Sequence, residues 1–119
     1  MIDSMILRIQ LKSKIHRAKI TDGNVDYEGS ISLPEDLMQH ANIWPGEKVL
    51  VSSITSGNRL ETYVMSGKKG SGEIVMNGAA AKLIDAGDLV TIMSFAVADY
   101  PILPRILILN DRNEIISQK

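Results

Sequence analysis

A change of phase within an alternating pattern constrains this chain more than any other feature. Between residues 5 and 15 the apolar side chains other than Ile6 fall on odd positions (Met5, Leu7, Ile9, Leu11, Ile15), while Arg8, Gln10, Lys12, Lys14 and His16 fall on even ones. Such alternation is a strand with one buried face. After Arg17 the apolar positions become even, at Ala18 and Ile20. Side chains of a strand alternate between faces, so the shift predicts a bulge or break near His16 and Arg17. The basic residues beside that break would then be aimed in a particular direction.

The remainder reads as short strands separated by turns. Thr21, Asp22, Gly23 and Asn24 predict a turn, and residues 25–33 a second strand with Gly29 and Ser30 in its middle. Residues 34–42 open with Pro34, Glu35 and Asp36, which suits a short helix whose positive end meets carboxylates. Trp44, Pro45 and Gly46 turn the chain. Strands are expected over residues 49–54, 60–65, 73–76, 89–97 and 105–109, and Asn77 is a plausible N-cap for a helix over 78–84 that Gly87 follows as a terminator. Many short strands with two short helices predict a mainly β fold closed into a small barrel. The run YPILPRILIL at residues 100–109 exceeds what a small interior can absorb, so part of it is expected to face another subunit.

Composition narrows the chemistry. A length of 119 residues makes one domain, 1–119, with enough interior to need no staples. The chain has no Cys and two His, which excludes disulfide scaffolds, zinc-cysteine sites and thiol nucleophiles and leaves no basis for a metal centre. Its 13 Lys plus Arg against 14 Asp plus Glu, with 4% aromatic residues, give no basis for nucleic-acid binding beyond the local run Arg8, Lys12, Lys14, Arg17, Lys19. The commoner meaning of such a run is a solvated strand face. No apolar stretch is long enough to span a bilayer and no secretory signal pattern is present, so the expectation is a cytoplasmic protein with no membrane partner.

Three candidate features remain. Gly78, Ala79, Ala80 and Ala81 after Asn77 leave the backbone open to a ligand, although an ordinary tightly packed helix explains them equally well. Gly29 followed by Ser30 places a hydroxyl next to a carbonyl at a residue free to adopt strained backbone, the requirement for an N-to-O acyl shift. His16 and His40 have no Ser or Asp partner at a diagnostic spacing, so a hydrolytic triad has no support. Separately, LPEDLMQHANIWPGEKVLV at residues 33–51 resembles the helix-turn-strand of small swapped-hairpin DNA-binding transcription regulators, a resemblance limited to those residues.

Taken in order, four motifs carry a resemblance to one family. They are Lys14, Ile15, His16, Arg17; Tyr27, Glu28, Gly29, Ser30; Gly57, Asn58, Arg59 with Leu60, Glu61, Thr62, Tyr63; and Asn77, Gly78, Ala79, Ala80, Ala81 with Gly87 and Asp88. This set resembles the pyruvoyl-dependent aspartate 1-decarboxylases from about residue 5 to 95, and more weakly through PRILILNDRNEI at 104–115. The resemblance implies a double-psi β-barrel assembled as a homotetramer, with active sites between subunits. It also implies a proenzyme: Ser30 attacks the Gly29 carbonyl, and β-elimination and hydrolysis leave a pyruvoyl group at position 30. A β-chain of residues 1–29 and an α-chain of residues 30–119 result.

By the same resemblance Thr62 polarises the Gly29 carbonyl during cleavage and belongs with the substrate-binding residues as well. L-Aspartate forms a Schiff base with the pyruvoyl ketone, which accepts electrons as carbon dioxide leaves, the role pyridoxal phosphate plays elsewhere and does not play here. Tyr63 returns a proton, Lys14 and Arg59 hold substrate carboxylates, and Asn77, Gly78, Ala79 and Ala80 line the substrate. The product is β-alanine for pantothenate synthesis, and some members of the family mature with an accessory protein. Ser53, the Ser56-Gly57 turn and Pro34 depart from the family's commoner residues, which bears on processing efficiency and turn geometry.

Overall fold

A computed structural model describes residues 5–119. Among these residues nine strands and two short helices run in the order β1 (Arg8–Lys19), β2 (Asp22–Asn24), β3 (Ser30–Pro34), α1 (Glu35–Ala41), β4 (Lys48–Ser53), β5 (Arg59–Gly67), β6 (Val75–Asn77), α2 (Ala80–Leu83), β7 (Leu89–Ala98), β8 (Arg105–Leu109) and β9 (Ile115–Gln118). The strands form one mixed sheet in the order β2-β6-β3-β5-β4-β7-β1-β8-β9. The pairs β1/β8, β2/β6 and β3/β5 are parallel, and the others antiparallel. Ile15, Ile20, Ile31, Leu33, Leu37, Val51, Val64, Met76, Ile92 and Leu107 meet in a single core.

The expected bulge is present. The register of β1 on β7 shifts between Ile15 and Ala18, Arg17 adopts a φ of 63°, and Ile15, Ala18 and Ile20 are all buried despite their change of parity. A second irregularity, between Leu11 and Ser13, corrects the sequence reading of the first half of the strand. Leu11 pairs with Phe95 on the outer face, whereas Ser13 pairs with Ser94, buried on the inner face. One extra residue at Lys12 therefore exchanges the faces of β1. Ile9 is 77% exposed as a result, and shares an outer ladder with Val97 and Phe95.

The first helix forms close to its predicted span. Glu35 and Asp36 occupy the first turn, and Asn42 closes the helix in the left-handed region (φ 57°), its N–H bonding to Gln39 and Met38 carbonyls. Leu37, Met38 and Ala41 bury the inner side. Residues 21–33 differ from expectation. Asp22–Asn24 is a short strand parallel to β6, because Thr21 is stapled to Ile74 through both its backbone N–H (2.8 Å) and its hydroxyl (3.1 Å). The turn falls just afterwards, and the next strand starts only at Ser30. The final strand, β9, was not anticipated; it pairs with β8 across the Asn110–Asn113 turn. No helix among the described residues is long and apolar enough to cross a membrane.

Candidate active site

β3 lies between β5 and β6, and this placement builds the candidate site. Ser30 pairs with Asn77 on the antiparallel side, and Ile31 pairs with Val64 on the parallel side. Ile31 and Leu33 point into the core, so by alternation Ser30 and Ser32 share the opposite face. There the Asn77 amide Nδ2 donates to both hydroxyls, 3.0 Å from Ser30 Oγ and 3.0 Å from Ser32 Oγ. The Ser30 hydroxyl lies 3.3 Å from the Glu28 carbonyl and 3.1 Å from Met65 Sδ, both acceptors for its single proton. Ser30 is fully buried and Gly29 is exposed, so the surface of the protein is crossed at this one peptide.

Asn77 is thus not the cap that the sequence suggests. The residue preceding α2 is Ala79, with no side-chain cap, and α2 is a single turn of four residues. Asn77 instead ends β6 with its amide committed to the two serines. Gly78 follows at a φ of +70°, and a Cβ there would lie 2.7 Å from both Gly29 Cα and N and 2.9 Å from the Tyr27 carbonyl. Only glycine fits. The Gly78 N–H also donates to the Asn24 carbonyl at 2.8 Å, fastening the exposed 24–29 loop against the start of the Gly78, Ala79, Ala80 segment. Gly29 itself corrects the reading of a strained glycine. It is outside the left-handed region, and a Cβ on it would meet nothing within 4 Å. The close approach is imposed by Gly78.

On β5 the residues divide by face. Val64 is buried and Leu60 and Thr62 are half-buried on one side, while Arg59, Glu61 and Tyr63 are exposed on the other. The ladder with β3 begins at Ile31–Val64, and extending its register back by one and two residues would set Tyr63 opposite Ser30 and Thr62 opposite Gly29. Arg59 lies four residues along β5 from Tyr63, about 13 Å at the usual strand rise. Lys14 is half-buried on β1 between Met93 of β7 and Ile106 of β8, with three strands between β1 and β3 in the sheet. Among the described residues no hydrogen bond or ion pair engages the side chains of Lys14, Arg59 or Tyr63. One chain therefore brings Gly29, Ser30, Asn77 and Gly78 together, with Thr62 and Tyr63 on the neighbouring strand β5, and leaves Lys14 and Arg59 apart from them.

Neighbouring polar residues have structural duties. Lys12, within the basic run, has its ammonium 2.6 Å from Glu47 Oε2 and 2.6 Å from the Asn42 carbonyl at the end of α1. It is not a free phosphate ligand. His16 Nδ1 lies 3.4 Å from Thr91 Oγ1, and burial, together with the cations of Lys14 and Arg17, holds its pKa below the usual imidazole range. Ser53 donates to Asp88 Oδ2 at 3.1 Å and accepts the Ser56 N–H at 3.1 Å, which builds the turn leading to Arg59. Ser32 and Met65 were missed by sequence reasoning. Spacing offers no signal for either, because their meeting with Ser30 depends on pairing between distant strands.

Comparison with known proteins gives a consistent result. A family model described as aspartate decarboxylase matches residues 5–116. An aspartate 1-decarboxylase from Thermotoga sp. (strain RQ2) is 49% identical over 114 residues, covering 96% of this chain and all of that relative. Its counterpart from Thermotoga petrophila is 51% identical over 114 residues with the same coverage. One from Bacillus cytotoxicus is 44% identical over 116 residues, covering 94% of this chain and 91% of that protein. Among solved structures, the rationally designed mkDPBB_sym1 protein aligns with a TM-score of 0.47 at 19% identity, covering 68% of this chain and 95% of its own.

Proposed function

This chain belongs to the aspartate decarboxylase family, and we propose on that premise that it removes the α-carboxylate of L-aspartate to give β-alanine and carbon dioxide, after cutting its own backbone between Gly29 and Ser30. The membership spans the segment at residues 33–51 that resembles swapped-hairpin regulators, and the DNA-binding reading gives way to it. The pairing of Lys12 with Glu47 removes part of the cationic surface which that reading needed.

The observation that carries the proposal is the environment of Ser30. Its hydroxyl is buried beside the peptide it is to attack, oriented by Asn77, with the preceding residue exposed where the chain can part. In the cleavage step Ser30 Oγ bonds to the Gly29 carbonyl carbon and the amide C–N bond breaks. The hydroxyl proton ends on the freed nitrogen. Thr62, opposite Gly29 in the extended register of β5, is suited to donate to the carbonyl oxygen as charge builds there. β-Elimination from the ester would then expel the Gly29 carboxylate and leave a dehydroalanine at position 30, whose hydrolysis by water with loss of ammonia would give a pyruvoyl group, the electron sink for decarboxylation. The residues around Ser30 fit that group, since the position is buried, Asn77 holds its side chain and the Gly78 backbone closes against the neighbouring Gly29. Tyr63, on the strand beside Ser30 and partly exposed, is assigned to hold and return a proton, and its exposure supports that reading.

Arg59 and Lys14 are assigned to the substrate carboxylates, Arg59 through two parallel hydrogen bonds. Ala79 and Ala80 leave room for the substrate beside Gly78. We place the active sites between subunits of a homotetramer of double-psi β-barrels. The parallel β1/β8 and β3/β5 pairs support the barrel, and the outer apolar ladder of Ile9, Phe95 and Val97, with Leu103 93% exposed, supports subunit contacts. The proposed setting is cytoplasmic β-alanine supply for pantothenate, with or without a maturation factor.

Intact-mass measurement tests the proposal. The purified protein is expected as chains of residues 1–29 and 30–119, and aspartate is expected to yield β-alanine. Ser30→Ala should give one uncut, inactive chain. Cleavage persisting in Ser30→Ala, or a wild-type chain that stays whole on prolonged warming and makes no β-alanine, overturns it.

A further inference from the structure

We propose that Met65 is a positioning residue for the self-cleavage, acting through a hydrogen bond from the Ser30 hydroxyl to its thioether; the inference rests on the cleavage reading above. The argument is a count of valences at one oxygen. A serine hydroxyl has one proton and two lone pairs. Asn77 Nδ2, at 3.0 Å, takes one lone pair. The proton has two acceptors within reach, Met65 Sδ at 3.1 Å and the Glu28 carbonyl at 3.3 Å. With the proton drawn toward Met65 and Glu28 and one lone pair committed to Asn77, the second lone pair is left for the Gly29 carbonyl carbon.

Met65 reaches this place because it is paired with Ser32 on the parallel strand and shares the outer face of β5 with Tyr63. It is half-buried, so its sulfur meets Ser30 in a setting where few waters compete. A thioether is a weak acceptor and too weak a base to remove the proton. Met65 therefore selects the rotation of the O–H bond and takes no part in the bond changes: Oγ–C forms, C–N breaks, and the proton ends on the freed amine of Ser30. Without the sulfur, the Glu28 carbonyl is left as the acceptor for the proton.

Two variants separate an acceptor from a mere packing role. Met65→Leu keeps an apolar side chain of similar volume and removes the acceptor. Met65→Gln returns an acceptor on a chain of similar length. Cleavage is followed by intact mass from freshly made precursor, and the melting temperature of each uncut precursor is measured alongside. The expected result is cleavage slowed about three- to ten-fold in Met65→Leu, the scale of one hydrogen bond, with recovery in Met65→Gln and melting temperatures that do not track the rates. Cleavage of Met65→Leu at the wild-type rate overturns the inference. Equal slowing in both variants, in step with lowered melting, also overturns it by making Met65 a packing residue only. A wild-type chain that stays whole under the same conditions fails the cleavage reading itself, and the inference falls with it.

Discussion

The Ser30 hydroxyl is held by three groups of its own chain, whereas the cationic heads of Lys14 and Arg59 engage nothing among the described residues. The contrast follows from what each region is assigned to do. Self-cleavage is an intramolecular reaction, and its rate depends on order already present in one chain. Substrate binding has the opposite requirement. A guanidinium meant for a substrate carboxylate is better left without an internal partner, because any such partner would have to be displaced first. The contrast also separates maturation from turnover, which gives ways to break it.

The largest effect is expected on the cation side. Arg59→Ala should leave cutting at Gly29/Ser30 intact while lowering kcat/KM for aspartate roughly 100-fold, the scale of losing charge-assisted hydrogen bonds. The check is intact mass on one sample and steady-state decarboxylation on the same sample. Uncut protein would show that Arg59 serves the first region as well, and would dissolve the separation.

Gly78→Ala probes the other region. The added methyl meets Gly29 at 2.7 Å while the backbone holds a φ of +70°, so strain of about 2 kcal/mol or more is expected. Release of that strain pushes the 24–29 loop away from Asn77, and maturation should slow by tens of fold with a lowered melting temperature. Gly29→Ala makes the sharper contrast. Its methyl has open space and its backbone is ordinary, so folding should be little changed. A Gly29→Ala chain destabilised as much as Gly78→Ala would contradict the assignment of the close approach to Gly78.

What could be read in the sequence depended on whether the determining contacts are local. The helix Glu35–Ala41 and the bulge at Arg17 announce themselves through acids in a first turn and a change of parity. The bulge at Lys12 does not, because odd apolar positions continue on either side of it; the polar Ser13 at an odd position, buried against Ser94, is the trace it leaves. Asn77 before a run of small residues matches a helix cap as well as it matches a partner for Ser30, and its true engagement depends on β3 pairing with β6, 47 residues apart at the Ser30–Asn77 contact. Met65 reads as ordinary strand packing until the parallel β3/β5 pair is known. The motif set singled out Gly29, Ser30 and their proposed neighbours, and left the hydrogen bonds among them to the fold.

The outer ladder extends the comparison to assembly. Ile9 and Val97 are paired and largely exposed in the single chain, so Ile9→Asp with Val97→Asp should spare the fold. If subunits cover this face, each buried apolar side chain contributes about 1.5–3 kcal/mol, and association should weaken tenfold or more. Sedimentation over a dilution series reads this directly. Decarboxylation falling on dilution while cleavage is unaffected would agree with turnover needing neighbours and maturation needing one chain. An unchanged assembly would remove the ladder from the proposed interface.

The smallest expected effect concerns His16, two residues from Lys14. Burial first, and then the nearby charges of Lys14 and Arg17, hold its folded pKa below the unfolded value near 6.5. Between those two values the unfolded chain binds more protons than the folded one, so stability is lost as pH falls from about 6.5 toward the folded pKa. Glu114 is also shifted down, but from an ordinary value of 4.5, so its contribution is lost only at more acid pH. The His16 window opens near pH 6.5 and that of Glu114 near 4.5, so His16→Gln should flatten the fall in melting temperature that begins below pH 7, before the carboxylate limb sets in. Parallel curves for the two proteins would mean that His16 is better solvated than its place on β1 suggests and that the cations around it are screened by solvent. Lys14 would then carry a more hydrated charge than its half-buried place on β1 suggests, and its assigned hold on a substrate carboxylate would be correspondingly weaker.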